Sequence, residues 1–475
     1  MSSHENDSTD KRLPSVAQSV TPLIAMGLFL GVGYGVLRLP AEALLIAAAA
    51  VAGLIAHRLG FSYKEIENGI LVSMMKGMPA MLIVIVVGAL IGSWIACGTI
   101  PMLIFYGLKL ISPTFFLVTA CIVCSVVSVV TGTSYGTVGT LGVALIGIAQ
   151  GLEIPLGQAA GAIVAGAYFG DKLSPFSDTT NLAPVAARSN LYDHIRHTLW
   201  TTTPAFLIGL VVYLVLGLMS QSGGSISMDV TTSITNAISS NFRFHWLLFA
   251  PPAITLFAAI RRYPVIPGML VSSSVAVVLA LALQGLDIKT AVSSMATGYT
   301  STTGSQVVDT LLTRGGMANM MHVTLIAFCA FAFGGIMQVA GMLEVLLQQL
   351  VKVANTTGKI VASTVLGSIT TAVVTGSSFL SNMIPGELFA PVYRRRGLAA
   401  KNLSRTTEDS GTVVVPLVPW SIAGVFMAGT LGVETLAYLP WAVMCYSGFV
   451  FALIYGFTGF AIAPKIADDE TVPGS

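Results

Sequence analysis

The chain has 475 residues, of which 54% are hydrophobic and only 9% are charged, and its formal net charge is +2. A soluble domain carries about 25% charged residues, so most of this surface does not face water. The near-neutral charge excludes a nucleic-acid partner, and we predict a polytopic membrane protein whose main partner is the lipid bilayer.

Long apolar runs predict membrane-spanning helices, because about 20 apolar residues are needed to cross the hydrocarbon core of a bilayer. The polar segment 1–20 lacks an apolar leader with a cleavage site, so it is interpreted as a cytoplasmic tail, and 464–475 as a second one. The clear spanning segments, in chain order, are 21–38, 42–57, 77–97, 199–219, 244–260, 264–284, 320–341 and 435–462.

Four further apolar regions are interrupted by polar residues. Regions 114–151 and 359–392 contain the tips TGTSYGTVGT and TGSSFLSN, which predict re-entrant hairpins. Regions 155–190 and 397–431 contain GDKLSPFSDTTN and SRTTEDSGT, which predict interrupted helices. Because non-helical backbone is tolerated at membrane depth only where protein or water satisfies it, these interruptions predict a cavity.

The order of these elements repeats along the chain. We predict an all-α integral membrane fold of two inverted five-span repeats, at 21–219 and 243–463, joined by a linker at 220–242. Each repeat is expected to hold one re-entrant hairpin and one interrupted helix. The amphipathic segment 61–78 is interpreted as a separate interfacial helix, and 300–316 is an extra stretch of the second half that includes part of a glycine-containing turn or gate.

The distribution of basic residues predicts the orientation of the chain. With both termini inside, most lysines and arginines fall on cytoplasmic segments, which is the bias that membrane insertion favours. The outer segments then hold only Arg38, Lys109, Arg243, Lys289 and Arg314. An odd number of spans per half makes the halves inverted, so the two hairpins are expected to enter from opposite sides.

Ionisable residues within the interruptions are the candidates for function, because charge inside a membrane is costly. The first interruption holds Asp171, Lys172 and Asp178, and the second holds Arg405, Glu408 and Asp409. Carboxylates among hydroxyl oxygens suit a hard cation such as sodium, and a desolvated carboxylate also takes up a proton. The accompanying oxygen donors are Ser174, Ser177, Thr179, Thr180, Asn181, Thr406, Ser410 and Thr412.

Some of these charges also have a structural interpretation. Asp171 with Lys172, and Arg405 with Glu408, could be ion pairs that lower the cost of a buried carboxylate. Asp178 has no adjacent basic residue and lies in a helix-breaking run, so we predict that it is a direct ion or proton ligand. The remaining histidines, apart from a weak case for His322 as a pH sensor, are expected to need no functional role.

The hairpin tips present hydroxyl groups at Thr133, Ser134, Ser377 and Ser378. Helix N-termini at such tips favour anions, whereas exposed carbonyl groups favour cations, and the residues leave that choice open. The alternative interpretation is that these hydroxyl groups only form hydrogen bonds with backbone groups that the break in the helix leaves unpaired.

The motifs GTSYGTVGT, GAYFGDKLSPFSDTTNLAP, LLTRGGM and LSRTTEDSGTVVVPLVPW together resemble the NhaC-type sodium/proton antiporter family, over about 20–463. The resemblance implies two inverted repeats whose interrupted helices meet at the substrate site, with no resident cofactor and with Na⁺ and H⁺ as transported ions. It implies that one half of the site is formed by Asp171, Ser174, Ser177, Asp178, Thr179, Thr180 and Asn181. It places the other half at Thr406, Glu408, Asp409, Ser410 and Thr412, with the hairpin tips beside both.

Two functions therefore remain open at this point. One is exchange of cytoplasmic sodium for external protons at a carboxylate that binds either cation. The other is cation-coupled exchange of a small carboxylate of the malate and lactate type, in which Lys172 and Arg405 would bind the cargo. We expect no enzyme, because the sequence shows no nucleophile–base set, and a homodimer is left open.

Overall fold

The computed structural model describes residues 12–222, 228–261 and 263–464, with the backbone alone at 220–222 and 228–231. The described residues leave out most of both predicted tails and the centre of the predicted linker. They also leave out Lys11, Arg262 and Lys465, which the charge distribution predicts to be cytoplasmic. Within these ranges every regular element is helical, and extended pairing is limited to two isolated bridges.

Eleven helices follow one another in the first half of the chain. α1 continues as a π-helix at Phe29–Tyr34, and α6 continues as one at Val138–Gly142. The helices are α1 Val16–Leu28, α2 Ala41–Arg58, α3 Tyr63–Ala96, α4 Thr99–Leu110, α5 Phe116–Thr131, α6 Ser134–Thr137, α7 Val143–Gly151, α8 Leu156–Leu173, α9 Asp178–Ala187, α10 Leu191–Ser222 and α11 Met228–Asn241.

The second half holds twelve more helices. α13 and α20 continue as π-helices, at Ala280–Gln284 and Glu408–Thr412. The helices are α12 Ala250–Ile260, α13 Val265–Leu279, α14 Ile288–Thr297, α15 Gln306–Leu312, α16 Met317–Val339, α17 Met342–Val353, α18 Thr357–Thr375, α19 Ser378–Arg395, α20 Ala400–Thr407, α21 Ile422–Leu431, α22 Thr435–Tyr438 and α23 Val443–Thr458.

Among the described residues, eight helices are long and apolar enough to cross a membrane, or up to 11 if each bent pair is one span. The chain is therefore a multi-pass membrane protein, as its composition predicts. The predicted last span, 435–462, is one of the bent pairs, with a 55° change of direction at Ala442. The bend comes directly after Pro440, which interrupts helical hydrogen bonding.

The longest helix, α3, corrects a second prediction. Segment 61–78 is not a separate interfacial helix, because α3 runs unbroken from Tyr63 to Ala96. Ser62 begins it with a capping box, in which its hydroxyl accepts from the Glu65 backbone and Glu65 bonds back to Ser62. The N-terminal part of α3 packs on α16, through Gly69 and Gly77.

Helices α3 and α16 pack antiparallel with their backbones close together. An added Cβ at Gly77 would lie 2.3 Å from the Phe331 ring, and one at Gly88 would lie 2.4 Å from the Gly316 carbonyl oxygen. Gly69 faces Val339 in the same way at the other end. Small residues thus permit the close approach that packing inside a membrane requires.

Both predicted hairpin tips are tight turns between two helices. Gly132, after α5, and Gly376, after α18, adopt left-handed φ angles of 68° and 63°, which glycine tolerates without strain. Thr133 and Ser377 then cap the next helix by accepting from the backbone N–H groups of Gly136 and Leu380. The two tips are therefore built alike.

The two interrupted helices break at different places in their motifs. In the first half α8 ends at Leu173, and Ser177 caps α9, so the break falls within the predicted motif. In the second half the prediction is wrong, because SRTTEDSGT is helical through α20 and its π-helical continuation. The 44° bend comes later, between Leu417 and Ile422, where Pro419 and the cap Ser421 lie.

The extra stretch at 300–316 folds against α3 and α21. Tyr299 pairs with Arg314 in an isolated bridge, and α15 lies between them. Arg314 Nη2 donates to the Leu431 carbonyl oxygen at 2.8 Å, at the C-terminal end of α21. This stretch therefore connects the two halves of the chain.

Candidate ion-binding site

Among the described residues, the five Asp, Glu, Lys and Arg side chains with the least exposure all come from the two interrupted helices. Asp171 and Lys172 lie in the last turn of α8 and are 7% and 1% exposed. Arg405, Glu408 and Asp409 lie where α20 becomes π-helical and are 0% exposed. Burial of so much charge is tolerated only where the groups are paired and hydrogen-bonded.

Lys172 and Asp409 form an ion pair between the two halves of the chain. Lys172 Nζ donates to Asp409 Oδ1. Thr201 Oγ1 of α10 donates to the same oxygen at 3.1 Å. The predicted pairing of Asp171 with Lys172 is wrong, since neighbours in a helix point about 100° apart.

Asp171 faces the first hairpin tip instead. Ser134 Oγ donates to Asp171 Oδ2 at 2.7 Å, so α6 and α8 meet at this carboxylate. Thr180 Oγ1 lies 3.1 Å from the Asp171 carbonyl oxygen and 3.2 Å from that of Lys172. These contacts hold the two sides of the first helix break together.

Glu408 is held by α9 and α10. His194 Nε2 lies 2.7 Å from Glu408 Oε2, and Thr180 Oγ1 lies 3.2 Å from Oε1. The other ring nitrogen of His194, Nδ1, lies 2.9 Å from Ser404 Oγ. Both His194 and Glu408 are 0% exposed. The predicted pairing of Arg405 with Glu408 is wrong, because the Glu408 carboxylate bonds to His194 and Thr180 instead.

Sequence reasoning missed the contribution of α10. It began this span at 199, whereas the helix begins at Leu191, so His194 was assigned to a connector. His194, Thr198 and Thr201 are spaced three to four residues apart and share one helix face. That polar spacing is the signal that could have revealed a buried functional face.

Several predicted oxygen donors surround the cluster, and among them the Ser177 side chain hydrogen-bonds to the Asp171 carboxylate. Asp178 and Asn181 are exposed, and Asn181 Nδ2 donates to the Pro175 and Ser177 carbonyl oxygens at 2.9 and 2.7 Å. Ser177 Oγ lies 3.1 Å from Thr179 Oγ1. Buried hydroxyls that donate to backbone carbonyl oxygens belong to Ser174, Thr406 and Ser410.

The second hairpin contacts the π-helical turn rather than a carboxylate. Asn382 Nδ2 donates to Thr412 Oγ1 at 2.8 Å, and Ser381 Oγ donates to the Gly411 carbonyl oxygen at 3.0 Å. Ser377 caps α19, and the Ser378 carbonyl oxygen accepts from Asn382. The two tips therefore meet the two interrupted helices, but only Ser134 meets an acidic side chain.

Arg405 is buried but only partly satisfied. Its Nη1 donates to the Ala461 carbonyl oxygen at 2.8 Å, and its guanidinium carbon lies 5.9 Å from the Tyr455 ring centre. Nε and Nη2 find no hydrogen-bond partner among the described residues, and neither does Asp409 Oδ2. One complete edge of the guanidinium group is therefore free to bind a carboxylate.

The chemistry of this cluster suits a small hard cation. No group of three or more His, Cys, Asp and Glu able to hold a metal occurs in the part of the chain that the structure describes. Three buried carboxylates stand against the two buried cations Lys172 and Arg405. One added proton or sodium ion therefore neutralises the charge.

Helices broken around buried charge, within a multi-pass bundle, define the class of ion-coupled membrane transporters. The model of the Na⁺/H⁺ antiporter family matches residues 166–460, which include both interrupted helices. The chain belongs to the Na⁺/H⁺ antiporter family, as its motifs predict.

Similarity to individual relatives extends over nearly the whole chain. It is 45% identical to an uncharacterized Na(+)/H(+) antiporter of Haemophilus influenzae, covering 95% of this chain and 98% of that protein. It is 37% identical to the Na(+)/H(+) antiporter NhaC of Alkalihalophilus pseudofirmus, covering 89% and 91%. It is also 35% identical to the malate-2H(+)/Na(+)-lactate antiporter of Bacillus subtilis, covering 95% and 96%.

Proposed function

We propose that this protein is a secondary active antiporter of the cell membrane that exchanges cytoplasmic Na⁺ for external H⁺ by alternating access. The family and two of the relatives named above support the choice of ions. The observation that carries the proposal is the buried contact of His194 with Glu408, inside a cluster with one excess negative charge. Na⁺ and H⁺ are the transported ions, and no resident cofactor is required.

The His194 network can hold or release one proton while its heavy atoms stay in place. In the proton-bound state that we propose, Ser404 Oγ donates to the Lys401 carbonyl oxygen at 3.2 Å and accepts from Nδ1–H of His194. The contact of Nε2 with Glu408 then requires one further proton. When that proton leaves, the Ser404 hydroxyl turns to Nδ1, and a neutral imidazole donates from Nε2 to the ionised carboxylate.

Loss of this proton leaves the cluster with the charge that one Na⁺ balances. We propose that Na⁺ binds between the two interrupted helices, near Glu408 and Asp171, with oxygen atoms of Thr180 and Ser134 beside it. Binding of either cation removes the need for the other, which is sufficient for antiport. Ser174, Ser177, Thr179, Thr406, Ser410 and Thr412 form the hydroxyl-rich surroundings of this proposed site.

Asp178 and Asn181 take a different place in the proposal. Both are exposed at the start of α9, beside the hydroxyl groups of Ser177 and Thr179. We assign Asp178 to the entrance of the ion path, where its charge concentrates cations. Direct ligation by Asp178, which the sequence predicts, is tested by comparing Asp178→Asn with Asp171→Asn.

The inverted repeats at 21–219 and 243–463 are also part of this proposal. The antiparallel contact of α3 with α16 supports it, because each of these helices is followed by a left-handed glycine and a short helix. The likeness of the two hairpin tips supports it further. From the charge distribution we place both termini in the cytoplasm. We also propose a homodimer, which chemical cross-linking of the membrane-embedded protein would test.

An asymmetry between the hairpins supports an inward-facing state. A small cleft lies between the first hairpin, at Thr133 and Thr137, and the ends of α12 and α13 at Tyr263. The second tip is packed, with Ile422 N–H donating to the Gly376 carbonyl oxygen at 3.0 Å. In the proposed orientation the open cleft faces the cytoplasm.

The test is exchange in inside-out vesicles with an imposed pH gradient. Addition of Na⁺ should dissipate the gradient for the native protein and leave it intact for Glu408→Gln, whereas K⁺ should have no effect. A gradient that Na⁺ leaves untouched in the native protein would overturn sodium/proton exchange.

A second candidate function is exchange of small carboxylates, as the name of the Bacillus relative describes for that protein. The free edge of Arg405 favours it, whereas Lys172 is already engaged by Asp409. Arg405 would then bind the cargo carboxylate in bidentate fashion. Uptake of radiolabelled malate or lactate into proteoliposomes, lost in Arg405→Lys, would support this function over cation exchange alone.

A further inference from the structure

The carboxylate of Asp409 lies between two basic groups but uses only one of them. Lys172 Nζ contacts Oδ1, whereas Oδ2 has no partner among the described residues. Arg405 precedes Asp409 by four residues, and the charges of the two groups interact. Residues at this spacing in a helix lie on the same face.

The unsatisfied atoms of Arg405 match those of Asp409. Nε and Nη2 form one edge of the guanidinium group, and this edge binds a carboxylate through two parallel hydrogen bonds. Both side chains are 0% exposed, so bulk solvent does not reach these atoms. Unpaired buried donors and acceptors within one helical turn indicate a pair that forms in another state of the protein.

The backbone at Asp409 has the means to change. The π-helical turn at Glu408–Thr412 begins one residue before Asp409, and π turns are wider than α turns and concentrate at functional sites. The second hairpin holds this turn through Ser381 and Asn382. Movement of that hairpin is thereby transmitted to Asp409.

We propose that Arg405 is a positioning residue that takes over Asp409 when Na⁺ displaces Lys172. Na⁺ arriving between Asp171 and Glu408 repels the adjacent ammonium group of Lys172, and Asp409 turns to the free edge of Arg405. The carboxylate thus remains paired in both states, and Na⁺ does not have to bind against an unpaired buried charge. This inference rests on the proposed sodium exchange for its functional role, but not for the pairing itself.

The pairing is tested by thermal unfolding of the purified protein in detergent without Na⁺ or cargo. Lys172→Gln and Arg405→Gln should each lower Tm modestly, because the other base still serves Asp409. The double variant should lose more than the sum of the two, and adding Asp409→Asn should restore part of the loss. Additive losses would overturn the exchange of partners, whatever the protein transports.

Kinetics separate positioning from a merely structural role. Arg405→Gln should raise the KM for Na⁺ about tenfold, the equivalent of one lost hydrogen bond to a buried charge, with kcat less affected. Lys172→Gln should leave that KM unchanged or lower it, since Asp409 is already released. The exposed Arg395→Gln serves as the control.

Two results would contradict the role of Arg405. If Arg405→Gln lowers kcat and leaves the KM for Na⁺ unchanged, the role of Arg405 is structural. Stabilisation by malate or lactate that is lost in Arg405→Lys would assign its free edge to a cargo carboxylate. If Arg405→Gln does not fold, Arg405→Lys should show the same KM change to a smaller extent, because it keeps the charge without the fork.

Discussion

His194 Nε2 lies 2.7 Å from Glu408 Oε2, and both side chains are fully buried. This contact joins α10 to the second interrupted helix. It gives a membrane-embedded carboxylate a hydrogen-bonding partner from another helix.

Substitution of His194 should remove the pH dependence of exchange. His194→Gln retains a hydrogen-bonding side chain but cannot carry the second proton, so we expect exchange to fall roughly tenfold to a hundredfold, the range of one lost buried charged hydrogen bond. The measurement is the rate of Na⁺-driven pH change in inside-out vesicles over a series of starting pH values. The matched control is His245→Gln, because His245 lies outside the cluster. An unchanged pH profile in His194→Gln would show that the His194–Glu408 pair has no part in the mechanism.

Asp171→Asn should abolish Na⁺-dependent exchange, because it removes a buried charge that Ser134 and the cluster are arranged around. The sequence alone pointed to Asp178 as the essential carboxylate. Since Asp178 is exposed, we now expect Asp178→Asn to raise the KM for Na⁺ severalfold with kcat retained. Full activity in Asp171→Asn together with none in Asp178→Asn would reverse this assignment.

The two hairpin tips should respond differently to loss of a hydroxyl group. Ser134→Ala removes the 2.7 Å bond to Asp171, so we expect about 1–3 kcal/mol weaker Na⁺ binding. Ser378→Ala, at the matching position of the second tip, should change binding little. Na⁺-dependent stabilisation of the purified proteins against heat measures both, and equal effects would show that the contact with Asp171 has no part in binding.

The packing of α3 on α16 should tolerate no larger side chain. Gly77→Leu would force the Phe331 ring aside and should destabilise the fold by about 1–3 kcal/mol or more. Gly27→Ala, where nothing lies within 4 Å, is the control. Tm in detergent is the measurement, and equal values for the two variants would mean that the helices do not pack closely here.

Local sequence determined much of the fold and part of the site. The hairpin turns at Gly132 and Gly376 follow from glycine and hydroxyl residues within a few positions, and the burial of Asp171 and Glu408 follows from charge inside apolar runs. Such signals need no knowledge of distant partners. The family prediction was confirmed for the same reason, since its motifs are local.

Partners across the chain could not be predicted in the same way. The choice of Lys172 for Asp409, and of His194 for Glu408, depends on how three helices cross. Polar residues such as Thr406 and Ser410 also bond to their own helix, so SRTTEDSGT remains helical although it reads as a break. The bend falls instead at a proline and a capping serine further along.

Proton release on sodium binding directly tests whether the two ions compete for the His194–Glu408 pair. Na⁺ is added to the purified protein in weakly buffered detergent solution, and the released protons are measured with a pH indicator. The account predicts about one proton per bound Na⁺ for the native protein, from the single exchangeable proton of the His194–Glu408 pair, and none for Glu408→Gln. Sodium binding without proton release, or undiminished release from Glu408→Gln, would contradict it.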